Sequence, residues 1–381
     1  MINKNNPRVC VSAYQSGEIN LQLGLGPMLC QTLSDLGFTS FLADDGDITA
    51  LKSDILLLAG DGTHFDNFTN LLSGYGRHRP SIIFWLLDSL PPPQLSERGR
   101  QIGLKLLNSD WRKLSPLWAK FIRSCVPFHH EMQKAVRWML NSQIKKEALA
   151  CNCLAYSEIS SQKSYIMMKS LEWIRKYFES GLIDYVFTST IPRMRTLKKN
   201  GINAEFIPVG YHRYWGEKLS LVRDIDVLFI GSLKIRRRRS LLKNIENKLS
   251  MNGIKLKIVS NGCYGEERTN LLNRAKIVLD IPNIPWETGG MRFLMSISCG
   301  AMVISEYVDE TAPYEPGVHF VRAKDEQLPD VICNYIKNES QRQAIADSAY
   351  EFITHRLTLK NSLMKIMERC CANTAVQTCS I

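Results

Sequence analysis

The sequence of 381 residues has no long apolar stretch; its longest uninterrupted run, Ile82–Leu87, is six residues. A membrane-crossing helix needs about 20, so a chain built on spanning helices is excluded. The opening residues, Met1–Pro7, carry no apolar segment resembling a signal peptide, and a cytoplasmic protein is expected, peripheral contact with a membrane being the alternative. Paired cysteines are also missing. The 11 cysteines are irregularly spaced, and Cys10, Cys30, Cys299 and Cys333 sit inside apolar segments, where a thiol acts as a small hydrophobe. Cys151-Asn-Cys153 is one residue short of a CxxC pair and has no second pair to complete it, so neither a disulfide framework nor a structural metal is expected. Repeats and low-complexity tracts are absent as well, which excludes solenoids and disordered scaffolds.

What is present is a globular composition, 45% apolar and 22% charged, at a length suited to two domains of about 150–200 residues. Basic side chains number 48 against 37 acidic, a net charge of +11, which favours anionic partners. The excess is uneven: between Glu97 and Glu179, 15 Lys/Arg stand against 7 Asp/Glu. This stretch has helical spacing and four tryptophans (Trp111, Trp118, Trp138, Trp173). A solvated helical face accounts for most such charges; an anionic membrane surface or a nucleic acid is the alternative partner, though no nucleic-acid-reading motif accompanies the charge.

On either side of this region, strand-like and helix-like segments alternate. Arg8–Ala13, Thr39–Ala43, Asp54–Ala59, Ser81–Leu87, Asp184–Ser189 and Ile207–Gly210 read as strands of a first domain. The continuous apolar runs among them fit a parallel sheet covered on both faces. A helix with Pro27 in its first turn, the stripe Met28, Leu29, Leu33 and Leu36, and Gly37 at its end separates the first two. A second series reads Asp226–Ile230, Ile254–Val259, Ile277–Leu279, Met302–Ser305 and Val318–Val321, with a last helix over Ser340–Ile353 capped by Ser340 and a frayed tail after Arg369. The expected fold class is α/β with two doubly wound domains, residues 1–215 (with a helical region at 95–180) and 216–370, followed by a tail at 371–381; Gly210–Arg223 is the linker.

Open α/β sheets bind ligands beyond the carboxyl ends of their strands, so polar residues just after strands are the site candidates. In the first domain these are Gly24 and Gly26 at a helix entry, His64 in the Gly60–His64 loop, and Asp88 after the fourth strand. In the second, Gly231 and Ser232 follow a strand and precede Arg236–Arg239. Four successive helical arginines cannot all face one way, so one or two at most reach a ligand. The densest segment is Pro285–Ala301, where Glu287, Gly289 and Gly290 enter a helix carrying Arg292 and ending at Gly300. Free N–H groups at such an entry and a cation one turn in suit an oxygen-rich anion. His212, among Tyr211, Tyr214 and Trp215 near the linker, either contacts a base or sugar or packs at the hinge.

From about Asp184 to Arg356 the chain resembles the C-terminal half of GT-B glycosyltransferases, in particular the branch that includes spore-maturation-type proteins. The carriers are Asp226–Ser232, Arg237–Leu242, Arg292–Ala301, Tyr314–Gly317 and Gln341–Ala346. The resemblance implies two Rossmann-like domains facing a cleft, with a nucleotide-sugar donor held by the second and an unidentified acceptor by the first. It also implies no essential metal or cofactor, since positive side chains and helix N-termini neutralise the leaving diphosphate. On it, Gly231, Ser232, Arg237, Gly289, Gly290, Arg292 and His212 are donor-binding candidates, and Gly24 and Gly26 acceptor or phosphate contacts. Glu287 matches the first of two family glutamates eight positions apart, the one near the transferred sugar. The second, a ribose ligand in the family, falls on Met295, whose thioether cannot take its hydrogen bonds. Inversion at the anomeric centre would need Asp88 or His64 as base; retention, which the Glu287 match favours, would not. A GT-B scaffold that binds without transferring is the rival expectation.

Overall fold

The computed structural model describes residues 7–14, 24–76, 79–95, 161–260, 262–288 and 290–377. The apolar runs of the first half become β1 (Arg8–Ala13), β2 (Thr39–Leu42), β3 (Ile55–Gly60), β4 (Ser81–Leu86), β5 (Tyr185–Thr188) and β6 (Ala204–Phe206). They form one parallel sheet in the order β2-β1-β3-β4-β5-β6. All six residues of β3 are buried, as a strand flanked by neighbours and covered on both faces requires. The second sheet, also parallel, runs β11-β10-β9-β7-β8. Its strands are β7 (Ile225–Ile230), β8 (Leu256–Val259), β9 (Ala275–Asp280), β10 (Met302–Glu306) and β11 (Val321–Ala323). Two expected strands move. Ile207–Gly210 leaves the ladder after Ile207, because Pro208 has no N–H to donate; the Ile207 carbonyl instead accepts from Trp85 Nε1 at 3.0 Å. Around Val318 the chain turns, Gly317 N–H donating to the Phe320 carbonyl at 2.7 Å, and β11 begins only at Val321.

Helices cover both sheets. In the first domain α1 (Leu25–Asp35) buries Met28, Leu29 and Leu33 and stops at Leu36, with Gly37 beyond it at φ 90°. α2 (Asp66–Ser73) and α3 (Ser161–Glu179) lie on the same side of the core as Phe65 and Phe84. Trp173 of α3 sits 5.3 Å from the Phe84 ring and donates to Asp66 Oδ1 at 2.8 Å. The remainder of the basic helical region, 96–160, lies outside the described residues. α4 (Ile191–Lys199) follows β5. The second sheet carries α5 (Arg236–Ser250), α6 (Gly265–Arg274), α7 (Met291–Ser298), α8 (Leu328–Lys337) and α9 (Glu339–Glu351). No helix among the described residues is long and apolar enough to cross a membrane.

The end of the chain differs from expectation. α9 starts after Asn338 without a side-chain cap, passes into a wider π-type turn at Phe352–Arg356, and is followed by α10 (Leu359–Gln377). Leu359, Leu363, Ile366, Met367 and Cys370 recur on one face of α10 and are buried against Val9, Leu29 and Leu33 of the first domain. The polar tail expected after Arg369 is helical as far as Gln377, as the continuation of α10, whose buried face before it closes the first domain. The chain therefore passes between the domains twice. The passages meet where Tyr211 N–H donates to the Leu357 carbonyl at 2.7 Å and Leu359 N–H to the Tyr211 carbonyl at 2.8 Å. The first passage is pinned further by Arg223, which donates to the carbonyls of Cys299 (2.9 Å) and Gly300 (2.7 Å) at the end of α7. At the crossing a Cβ on Gly210 would overlap the Thr358 carbonyl. Gly210→Ala is expected to destabilise the protein by about 2 kcal/mol, the scale of overpacking against backbone. Thermal unfolding checks this; an unchanged midpoint would mean the two passages can separate without cost.

Candidate active site

Each sheet begins at an inner strand and then grows to both sides: β1 between β2 and β3, β7 between β8 and β9. The chain reverses direction across the sheet there, and ligands of such sheets bind at that point beyond the strand ends. The two carboxyl edges face one cleft of about 330 Å³. Its first-domain wall includes Tyr14 after β1, Asp88 and Ser89 after β4, and Thr190 and Arg193 at the start of α4; its second-domain wall includes Glu287, Gly290, Arg292 and Tyr314.

On the second-domain wall stands Arg292, with Arg237 and Arg238 of α5 behind it. Arg292, the second residue of α7, lies 5.3 Å over the Phe229 ring and donates through Nη1 to Asp280 Oδ1 at 2.7 Å. Asp280 ends the apolar strand β9 and is fully buried, with Ser305 Oγ as a further donor at 3.4 Å. Gly231 lies under the same guanidinium, since a Cβ there would stand 2.9 Å from Arg292 Nη2; only glycine leaves that nitrogen room. Arg238 is completely buried, 5.4 Å over Phe229, and donates to the Ser232 carbonyl at 3.0 Å and to the Ile281 carbonyl. It thereby ties together the loops after β7 and β9, and burial pushes its pKa down to about 9. Arg237 grips the carboxylate of Glu306, Nη2 donating to Oε2 at 2.9 Å, with a further bond to the Pro282 carbonyl. Burial raises Glu306 to about 7 and outweighs the lowering by the Arg237 guanidinium.

The middle of the cleft is a buried ion pair between the domains. Arg193 donates through Nε to Glu287 Oε1 (3.1 Å) and Oε2 (3.2 Å) and through Nη2 to Oε2 (2.6 Å). Ser89 Oγ donates to the same Oε2 at 3.2 Å, and Arg193 Nη1 donates to Ser189 Oγ at 2.7 Å. Glu287 is 3% and Arg193 8% exposed. Asp88 lies alongside, 3.6 Å from Lys163 Nζ of α3.

Of the residues singled out in the sequence, Asp88, Glu287, Gly290 and Arg292 line this cleft, with Gly231 directly beneath Arg292. The others are brought elsewhere. His64 does not line the cleft; its ring stacks on Tyr14 at 3.3 Å, and Tyr14 is the residue at the wall. His212 does not line the cleft either. Its Nδ1 accepts from Tyr214 N–H at 3.3 Å, a capping role, and burial lowers its pKa. Gly24 precedes α1, and Gly26 packs inward, where a Cβ would meet Leu42 Cδ2 at 2.9 Å: its smallness serves helix-to-strand contact. Ser232 caps its own turn by accepting from Lys234 N–H at 3.2 Å, and Arg237 is occupied by Glu306. Gly289 lies outside the described residues. Met295 packs among apolar residues that include Ile230 and Val259. Sequence reasoning missed Arg193, Ser89, Asp280 and Arg238. Asp280 had a usable signal, a carboxylate closing an apolar strand; Arg193 had none, because its partner is 94 residues away.

Residues 236–368 match the family described as Glycosyl transferase-like. No curated protein matches the chain in sequence. Among solved structures, sucrose-phosphate synthase from Thermosynechococcus elongatus superposes with a TM-score of 0.54 at 8% identity, over 97% of this chain and all of its own. TarM of S. aureus superposes with a TM-score of 0.51 at 11% identity over 82% of this chain, which spans only 54% of TarM. HepE of Anabaena, solved with UDP-glucose, is similar over 96% of this chain and all of its own at 11% identity, with a TM-score of 0.46. At these identities the likeness is one of fold. Residues 236–368 are thus similar to the Glycosyl transferase-like family, and the described residues have the GT-B fold, two Rossmann-like sheets facing a cleft.

Proposed function

We propose that the protein transfers a sugar from a nucleotide-sugar donor to an acceptor hydroxyl in the cleft between its two sheets. The observation that carries this reading is Arg292. Its Nη1 is fixed by buried Asp280, while its Nη2 stands over Gly231 at the mouth of two loops. A guanidinium anchored on one edge presents the other edge to an anion, and Arg292 belongs to the first turn of α7, whose N–H groups begin that helix. In the transfer, the bond between the anomeric carbon and the diphosphate oxygen breaks and the acceptor oxygen takes its place on that carbon. The acceptor proton leaves to Asp88 if the centre inverts, or to the departing diphosphate if it is retained. Charge growing on the diphosphate is met by Arg292 and the helix start, so this reading requires neither metal nor cofactor. On this reading Glu287, at the cleft wall, meets the hydroxyls of the transferred sugar. Arg237 reaches the diphosphate only by exchanging Glu306 for it, which makes it the secondary contact.

The rival reading, a scaffold that binds a nucleotide or sugar without transfer, is favoured by Met295, which presents no carboxylate and is packed against the apolar cluster that includes Leu228, Val278 and Cys299. Anionic-lipid or nucleic-acid association through the basic helical region concerns residues largely outside those described.

Arg292→Ala is expected to lower donor turnover by about 10³-fold, the scale of a lost transition-state charge contact, with the fold intact by circular dichroism. Turnover assayed by mass spectrometry against a panel of nucleotide sugars checks it; undiminished rates would remove Arg292 from the diphosphate site, and tight binding with no turnover in the parent protein would favour the scaffold. A second expectation concerns Glu306. Its pKa is raised in the folded protein, so the folded state binds its proton more tightly than the unfolded chain. Its contribution to stability is present in full below the unfolded value of about 4.5 and is lost as pH rises through about 7. Glu306→Gln should flatten the fall in denaturant-measured stability between those pH values; an unchanged slope would show that Glu306 is not its source.

A further inference from the structure

We propose that Arg193 of the first domain is the positioning residue for Glu287 of the second, so that the sugar-facing carboxylate is in place only while the domains are closed on one another. The inference rests on the reading of Glu287 as the carboxylate that meets the transferred sugar.

Among the described residues, every hydrogen bond accepted by the Glu287 carboxylate comes from the first domain: three from the Arg193 guanidinium and one from Ser89. Its own domain supplies a backbone bond, Glu287 N–H to the Ile284 carbonyl at 3.1 Å, which fixes the chain but not the side chain. Glu287 lies between β9 and α7, in a segment outside the regular strands and helices. Arg193 is itself well held. It sits on α4 directly after β5, is nearly buried, and spends its remaining Nη1 on Ser189. The fork-to-carboxylate geometry fixes direction as well as distance.

Two residues along the same helix, Arg195 donates to Glu310 of the second domain at 2.9 Å. That pair is exposed, and exposed pairs contribute little. The Arg193–Glu287 pair differs in kind, because removing either partner leaves a charge stranded in a buried site. The first domain thus determines where the carboxylate of the second domain stands. Opening the cleft to admit a donor withdraws all four bonds at once, and closing it restores them.

Turnover and stability of Arg193→Gln, Glu287→Gln and the double variant test this. Arg193→Gln should lower kcat about 100-fold, as expected for a group displaced by about 1 Å, with the donor KM changed less than about threefold. Arg193→Lys, which keeps the charge and loses the fork, should fall between. Because Arg193 acts through Glu287, the double variant should be no slower than Glu287→Gln alone; losses that multiply would overturn the proposal. Ser89→Ala offers a milder version of the same cycle should Arg193→Gln fold poorly. If the parent protein turns over no nucleotide sugar, the transfer reading fails by itself. The cycle read in thermal unfolding then decides the pairing: a double variant no less stable than the worse single supports it, and additive losses of midpoint overturn it.

Discussion

Two backbone passages between the domains press against each other at Gly210 and Thr358, and the arrangement of everything else follows from that contact. One passage leaves β6 and leads into β7; the other leaves α9 and leads into α10. Because they are hydrogen-bonded through Tyr211, Leu357 and Leu359, the two sheets cannot turn independently about a single strand of chain. One apolar cluster continues through the crossing, from Val9 and Ile55 on one side to Phe293 and Val303 on the other. With the pivot confined there, the carboxyl edges of both sheets can face one cleft.

Within that cleft the electrostatic design is one of arginines restrained by buried acids. Asp280 holds Arg292, Glu306 holds Arg237, and Glu287 is held by Arg193. Arg238 has only carbonyl acceptors, and the low pKa that burial gives it is the cost of tying two loops from beneath. Each acid orients a guanidinium without cancelling it fully, because a planar group bonded on one edge keeps donors on another. The result is a rigid cationic floor next to a polar crossing point, with apolar residues such as Leu294 and Tyr314 completing the walls.

Much of this was legible in the sequence where the physical cause is local. The all-buried β3 and the nearly all-buried β4 announce themselves as continuous apolar runs, and α1 by its stripe and its closing glycine. Position after a strand drew attention to Asp88, Glu287 and Arg292, which the fold brings to the wall of one cleft. Neither histidine lines the cleft: the His64 ring found Tyr14 to stack on, and the aromatic setting of His212 marks a turn cap. Where causes are non-local the sequence is silent. Nothing around Arg193 marks its partner, and nothing near Gly26 distinguishes a glycine that admits Leu42 from one that admits a phosphate. The missed α10 is a different error: its apolar positions have helical spacing, but the run was divided at Arg369 by its polar ending.

The return of α10 to the first sheet also sets an order of events for the newly made chain. Leu29 and Leu33 emerge long before the residues whose helix packs on theirs, Leu359 to Cys370. The first half therefore waits with an apolar groove uncovered while the whole second half is built. A fragment cut at the linker would keep that groove open permanently, so the two halves of the sequence are not interchangeable with the two halves of the structure.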